Sequence, residues 1–313
     1  MTQDFDRNRY ESLFSEVIKD LEGEEERVYM QTHKERFFEA FEQMATYLPN
    51  VEKPRVCEFG TSNFTILFKK IWPHIELVTV DRPVKMFGFP AEWAIENCAA
   101  DHHYNINLNT DSIGPEWGEP PIGAFDFVLF CEILEHLPIS GAQLVEELVS
   151  LLKPNGLLYL TTPNFFSMHA LQKISHRKSP VEQFPRRNED TSASMHFREY
   201  TLDELVQFAN DAGGRVVKAI YSTSMFNEQV NSALEKRPEY SSNLMLIVGK
   251  PEGEQPIEQI MLRETLNAES MLDESNPDQL LSEIERLTTL VESYENGRVI
   301  RMIKWLREKG LPV

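Results

Sequence analysis

Phe125-Asp126-Phe127-Val128-Leu129-Phe130-Cys131-Glu132-Ile133-Leu134-Glu135-His136-Leu137 is an apolar run that ends on a polar cluster. A segment of this form is a strand buried on both faces, as in a parallel sheet covered by helices. Arg55-Val56-Cys57-Glu58-Phe59-Gly60 has the same form, and residues 76–80 end likewise on Asp81. In open α/β sheets ligands bind where strands finish at their carboxyl edge. Glu58, Gly60, Asp81, Glu132 and His136 are therefore expected over one crevice.

Outward from that run, Ser140 and Gln143 predict a capping box for a helix carrying Leu144, Val145, Leu148 and Leu152. Lys153-Pro154-Asn155-Gly156 stops it, and residues 157–160 form the next strand. Thr201 and Glu204 cap another helix, which ends at Gly213-Gly214 before a strand over 215–220. Further strands are expected at 104–108, after an irregular stretch, and at 243–249. Alternating strands and helices predict a parallel-dominated sheet.

Around this core the chain divides into an N-terminal helical cap (1–50), the main domain (51–250) and a linker (251–278). The last piece is an amphipathic C-terminal helix (279–313). Residues 163–198 are long for a loop in a compact domain and predict a lid or insert. In the C-terminal helix Leu280, Ile284, Leu287, Val291 and Tyr294 alternate spacings of four and three. Asn296-Gly297 interrupts this seam, and Arg298, Arg301, Lys304 and Arg307 follow. Its stripe is expected to dock within a homo-oligomer, on a partner, or on a membrane surface.

The net charge of −19 opposes general affinity for nucleic acid or anionic membrane. Cys57, Cys98 and Cys131 show no CxxC spacing, so core thiols in a reducing compartment are expected. The N-terminus lacks an apolar segment of the signal-peptide kind, and no stretch approaches the ~20 apolar residues of a membrane span. A cytoplasmic protein is the expectation. His102-His103 has no third ligand at metal spacing, so no metal set is predicted.

Several runs, in order over roughly residues 30–250, carry a family resemblance. They are Glu58-Phe59-Gly60-Thr61-Ser62-Asn63-Phe64, Asp81, Glu132-Ile133-Leu134-Glu135-His136-Leu137 and Leu151-Leu152-Lys153-Pro154-Asn155-Gly156. Thr161-Thr162-Pro163-Asn164 and His196-Phe197-Arg198-Glu199-Tyr200-Thr201 complete the set. Together they resemble class I (Rossmann-like) S-adenosylmethionine-dependent methyltransferases, and among these the bacterial small-molecule and sugar methyltransferases of surface-polysaccharide clusters. The resemblance implies a mostly parallel seven-stranded sheet with helices on both faces, N-terminal helices and a C-terminal helical extension. It implies S-adenosyl-L-methionine as cofactor, held by Glu58, Gly60, Ser62, Asp81, Asn107 and Glu132. Ser62 and Phe64 stand where the family's glycine loop has its later glycines. Asp81, about twenty residues after the loop, has the spacing of an acid that accepts from ribose hydroxyls. A turn aspartate fits Asp81 equally, and Asn107 is either an adenine reader or a turn residue.

His136 is the candidate catalytic base, because a hydroxyl acceptor must lose its proton and imidazole titrates near neutrality. The other reading is a His that caps its short helix and packs on the sheet. Between 163 and 198, Lys173, Arg177, Lys178, Arg186, Arg187 and Arg198 outnumber three acids. Arg177, Arg186, Arg187, His196 and Arg198 are thus candidates to bind an acceptor bearing phosphate, such as a nucleotide sugar or lipid-linked glycan. A solvated loop balanced by nearby acids is the plainer reading. Tyr29, His33 and Arg36 resemble an element that closes over the cofactor. The expected function is O-methylation of a sugar or glycan precursor. The alternatives are N- or carboxyl methylation of another metabolite, or a non-catalytic Rossmann-like assembly module.

Overall fold

The structure, a computed structural model, describes residues 5–49, 51–86, 88–113, 122–181, 195–222, 237–251 and 282. Arg186, Arg187, the linker and, but for residue 282, the C-terminal helix lie outside the described residues. Seven strands form one sheet: β1 (Arg55–Phe59), β2 (Glu76–Asp81), β3 (His102–Asn105), β4 (Phe125–Cys131), β5 (Leu152–Pro163), β6 (Arg215–Ser222) and β7 (Asn243–Gly249). Their order is β3-β2-β1-β4-β5-β7-β6. β1 to β5 pair in parallel, and β7 runs antiparallel to both β5 and β6. The order reverses between β1 and β4, which opens the crevice at their carboxyl ends.

The unbroken apolar runs are explained by two cores, one on each face. Cys57, Phe59, Val78, Val80, Val128 and Phe130 point to one, covered by α5 (Gly141–Ser150) and α7 (Leu202–Asp211). Val56, Leu77, Phe127 and Leu129 point to the other. There they meet α1 (Arg7–Asp20), α2 (Glu24–Tyr47) and α3 (Ile66–Ile71), through Phe14, Phe41 and Phe68 among others.

The capping predictions hold with one refinement. Thr201 and Glu204 form the full reciprocal box of α7. Ser140 accepts from the Gln143 amide at α5, but the Gln143 side chain donates to Glu147 instead, so that box is half formed.

Elsewhere the structure differs from the pattern. β3 lies at 102–105 rather than 104–108; it is an edge strand with half-exposed residues, so apolar alternation does not mark it. β5 begins at Leu152, and the expected stop at 153–156 is a kink inside the strand, with Asn155 at φ 62 and a register shift opposite β4. Lys153 Nζ and the Arg55 amide both reach Asp126 Oδ2, at 2.6 and 2.8 Å, and tie that kink in β5 through β4 to β1. Two helices absent from the sequence reading are α4 (Ala91–Cys98) and α6 (Met168–Ser175), the latter within the expected lid. No described helix is long and apolar enough to cross a membrane.

Candidate active site

A cavity of about 310 Å³ opens where β1, β2 and β4 end. Gly60 turns the chain out of β1 at φ 82, and a Cβ there would meet Ile133 Cδ1 at 3.0 Å. Glycine is therefore favoured by backbone conformation, while the Ile133 side chain would have to shift slightly for a Cβ. The Ser62 hydroxyl accepts from the Phe64 amide at 3.2 Å, while the Ser62 amide donates to Thr65 Oγ1 at 2.9 Å. The loop is thus closed by side chains where the family pattern has glycines. Phe64 is fully buried and stacks on Phe37 of α2. The aromatic ring at this position fastens the N-terminal helices to the loop.

Glu58, at the end of β1, is 5% exposed, lines the cavity and has Oε2 buried without a partner. Burial pushes its carboxyl up to about 8, against a hydrogen bond from Thr65 and with added repulsion from Asp81. Asp81 lines the same wall. Its two oxygens accept from the Arg82 and Phe89 amides, each at 2.8 Å, so it organises the following turn as well as facing the cavity. Burial raises its pKa, and these two bonds oppose the rise. Asn107 lines the cavity too, with Oδ1 accepting from the Asn109 amide at 3.2 Å in an Asx turn. Both readings of Asp81 and of Asn107, turn former and cavity wall, are realised together.

Two further polar atoms of the wall, Thr61 Oγ1 and Asn109 Oδ1, are buried without partners. Sequence reasoning did not single them out, although each stands next to a motif position.

β4 leaves the sheet through Glu132, whose φ of 55 is rare for a side chain with a Cβ. The Glu132 carboxylate receives the Arg36 guanidinium of α2 at 3.1 Å and the Asn243 amide of β7 at 2.8 Å. It joins the N-terminal helices to the sheet at the rim of the cavity. Asn243 was not anticipated, since nothing in an apolar strand pattern singles out its first residue.

After this turn a 3-10 segment, Leu134–His136, presents Glu135 and His136. His136 Nδ1 lies 2.8 Å from the Met195 carbonyl, which can only accept, so Nδ1 carries the proton and Nε2 the lone pair. Burial holds the His136 pKa below the ordinary imidazole value, against the Met195 hydrogen bond. His136 lines the cavity, where burial favours the neutral form of its ring.

His196 stands edge-on to His136, with ring centroids 4.9 Å apart. The amides of Phe197 and Arg198 donate to the Glu135 carbonyl at 2.7 and 3.4 Å, which stitches residues 195–198 to the 3-10 segment. Arg198 turns away, paired with Glu204 and lying over Tyr200, and Arg177 is exposed after α6; neither lines the cavity. Of the described basic candidates, only His196 lies beside His136. His103, weighed for a metal, uses Nε2 on the Phe89 carbonyl and Nδ1 on the Thr79 hydroxyl.

The family model of a methyltransferase domain matches residues 29–219, more than half of the chain. No curated protein matches it. Among solved structures, a chain from the complex of the Haloferax volcanii Trm112 methyltransferase activator with a methyltransferase aligns at 14% identity. It covers 80% of this chain and 99% of its own, with a TM-score of 0.45. An S-adenosylmethionine-dependent methyltransferase from Archaeoglobus fulgidus aligns at 18% identity, covering 71% and 99%, with a TM-score of 0.43. Another, from Mesorhizobium loti, gives 13% identity, 67% and 96% coverage, and a TM-score of 0.43.

Proposed function

Because the chain belongs to this methyltransferase family, we propose that it methylates a hydroxyl of a small molecule, a sugar or glycan precursor, with His136 as the base. S-adenosylmethionine, when bound, supplies a methyl group on a positively charged sulfur. The residues present suit it. A buried unpartnered carboxylate oxygen at Glu58 matches a cationic amino group, and Asp81 has lone pairs left for ribose hydroxyls. Phe37, Phe89, Ile106 and Leu108 supply apolar wall for an aromatic ring system.

What the chain contributes to transfer is chiefly position, since in-line displacement depends on alignment. A hydroxyl acceptor must also lose a proton, and His136 is prepared to take it. Its Nδ1–H is fixed on the Met195 carbonyl, and burial favours the neutral ring, which leaves Nε2 to accept. That fixed tautomer is the observation that carries the reading. It favours hydroxyl over amine acceptors, because a neutral amine can attack before its proton leaves. The acidic cavity wall and the outward course of Arg177 and Arg198 give no support to a phosphate contact at the reacting end.

His136→Ala tests this. General base catalysis is typically worth about 10²–10⁴-fold, so the variant is expected to bind S-adenosylhomocysteine as the parent does and to lose turnover by that order on a sugar acceptor. Near-full turnover would reduce His136 to a packing residue.

A further inference from the structure

We infer that Glu135, His136 and His196 form a binding site for one divalent transition-metal ion beside the methyl-transfer cavity. One ligand atom from each lies within 4.8 Å of the other two. In a metal complex with bonds of about 2.0–2.2 Å, neighbouring ligand atoms sit roughly 3 Å apart. The set would have to close from at most 4.8 Å to that spacing.

The surroundings are those of prepared ligands. Metal-binding histidines commonly donate their second ring N–H to a carbonyl or carboxylate, which fixes the tautomer and aims the lone pair. Both do so here: His136 Nδ1 is 2.8 Å from the Met195 carbonyl, and His196 Nδ1 is 3.1 Å from Glu199 Oε1. In the His136 ring Nε2 is left as the lone-pair nitrogen, and the Glu199 contact favours the same tautomer in His196. Glu135 is oriented in the same way, because Oε2 accepts from the Thr162 hydroxyl at 2.9 Å. Its Oε1 lies 3.7 Å from His136 Nε2.

Charge points the same way. Glu135 is 1% exposed, and the nearest guanidinium, that of Arg36, is engaged by Glu132. Among the described residues its one ion-pair contact is a histidine. A buried carboxylate with no full positive charge beside it is costly, and a divalent ion removes that cost. Two imidazoles and one carboxylate suit zinc, manganese, cobalt or ferrous iron better than magnesium or calcium. Three protein ligands leave coordination positions open, as catalytic sites do. Because His136 also lines the cavity, these positions adjoin the acceptor. An acceptor with neighbouring oxygens, such as the vicinal hydroxyls of a sugar, is the class of ligand that would fill them.

The inference rests on the methyl-transfer reading for its use, not for its chemistry. With an ion bound, His136 Nε2 would be a ligand in place of the base proposed above, and the ion would supply the acidification of an acceptor hydroxyl, whose proton would pass to water.

The test uses untagged full-length protein, stripped with EDTA and titrated with Co²⁺, Zn²⁺ and Mg²⁺. One Co²⁺ per chain with a visible absorption band, displaced by Zn²⁺ and little affected by Mg²⁺, is expected. His196→Ala and the milder Glu199→Gln are expected to weaken Co²⁺ binding by at least about tenfold, with S-adenosylhomocysteine affinity and thermal unfolding retained. If His196→Ala does not fold, Glu199→Gln decides. Absence of saturable Co²⁺ or Zn²⁺ binding, or affinity indifferent to both substitutions, overturns the site. Turnover that survives EDTA but not His136→Ala would overturn the ion's role and leave methyl transfer by a histidine base standing. Ion binding in a protein that binds no S-adenosylhomocysteine would support the site and remove the methyl-transfer reading.

Discussion

Replacing Glu58 by Gln should uncouple cofactor binding from pH. Burial sets the Glu58 carboxyl at about 8 in the ligand-free protein, with Thr65 opposing the rise and Asp81 adding to it. At pH 7 such a group is about nine-tenths protonated. A cationic amino group placed against its unpartnered Oε2 favours the charged form. Binding must then expel that proton, close to one per site. It follows that affinity rises by nearly tenfold per pH unit below 8. Between pH 6 and 7.5 the gain is about 25-fold, or ~2 kcal/mol. The upper limit is chosen because a free α-amino group itself begins to deprotonate near 8. Titration calorimetry with S-adenosylhomocysteine, in two buffers of different ionisation enthalpy, measures both the slope and the released proton. In Glu58→Gln the expected loss is about 0.9 proton per site at pH 7. The variant should match the parent at pH 6 and fall behind it at pH 7.5. Asp81 also has a raised pKa, so the difference between the two proteins, not the parent slope alone, isolates Glu58. Stability has the opposite sign. Between 4.5 and 8 the folded state holds a proton that the unfolded chain has lost, so the ligand-free parent loses stability as pH rises through that window. Glu58→Gln should remove this loss and melt higher than the parent at pH 8. Equal slopes in parent and variant would place the amino group elsewhere and refute the reasoning.

Asp81→Ala removes a carboxylate whose charge-assisted bonds are worth about 1.5–3 kcal/mol, so S-adenosylhomocysteine affinity should fall at least tenfold in the same calorimeter. Because Asp81 also holds the Arg82 and Phe89 amides, thermal unfolding should be run beside it. Unchanged affinity would leave Asp81 as a turn former only. Gly156→Ala would place a Cβ 2.6 Å from the Phe125 carbonyl oxygen and 2.9 Å from that of Lys153. Both are backbone atoms that cannot rotate away, so urea unfolding should show a loss of about 1–3 kcal/mol, with cofactor affinity unchanged. A neutral result would mean that the β5 kink is softer than its packing indicates.

What the sequence showed and what it hid follow from one physical distinction. β1, β2 and β4 were legible because burial on both faces leaves an apolar run that only a strand of a covered sheet produces. Their polar ends were legible for the same reason, since a carboxylate after such a run has to stand at the sheet's edge. β3 was misplaced because an edge strand with half-exposed residues carries no such signature. α4 was hidden behind Pro90 by its shortness and by burying only Ala94 and Cys98. At the site, Glu58, Gly60, Ser62, Asp81, Asn107, Glu132 and His136 were named from strand ends and from the family resemblance of the motifs around them, and the fold places all of them on one cavity. Partnership in space was not legible. The sequence showed Glu135 as one more letter of a motif and His196 as one of several basic residues in a lid. Only the left-handed turn at Glu132 and the amides of Phe197 and Arg198 on the Glu135 carbonyl bring the two together. The same long-range hydrogen bonding explains why Arg198, two residues from His196, contributes nothing to the cavity. Once Phe197 and Arg198 donate their amides to Glu135, His196 faces His136, and the arginine is left to Glu204 and Tyr200. Charge counting along residues 163–198 could not make that separation, because it weighs side chains without the backbone that aims them.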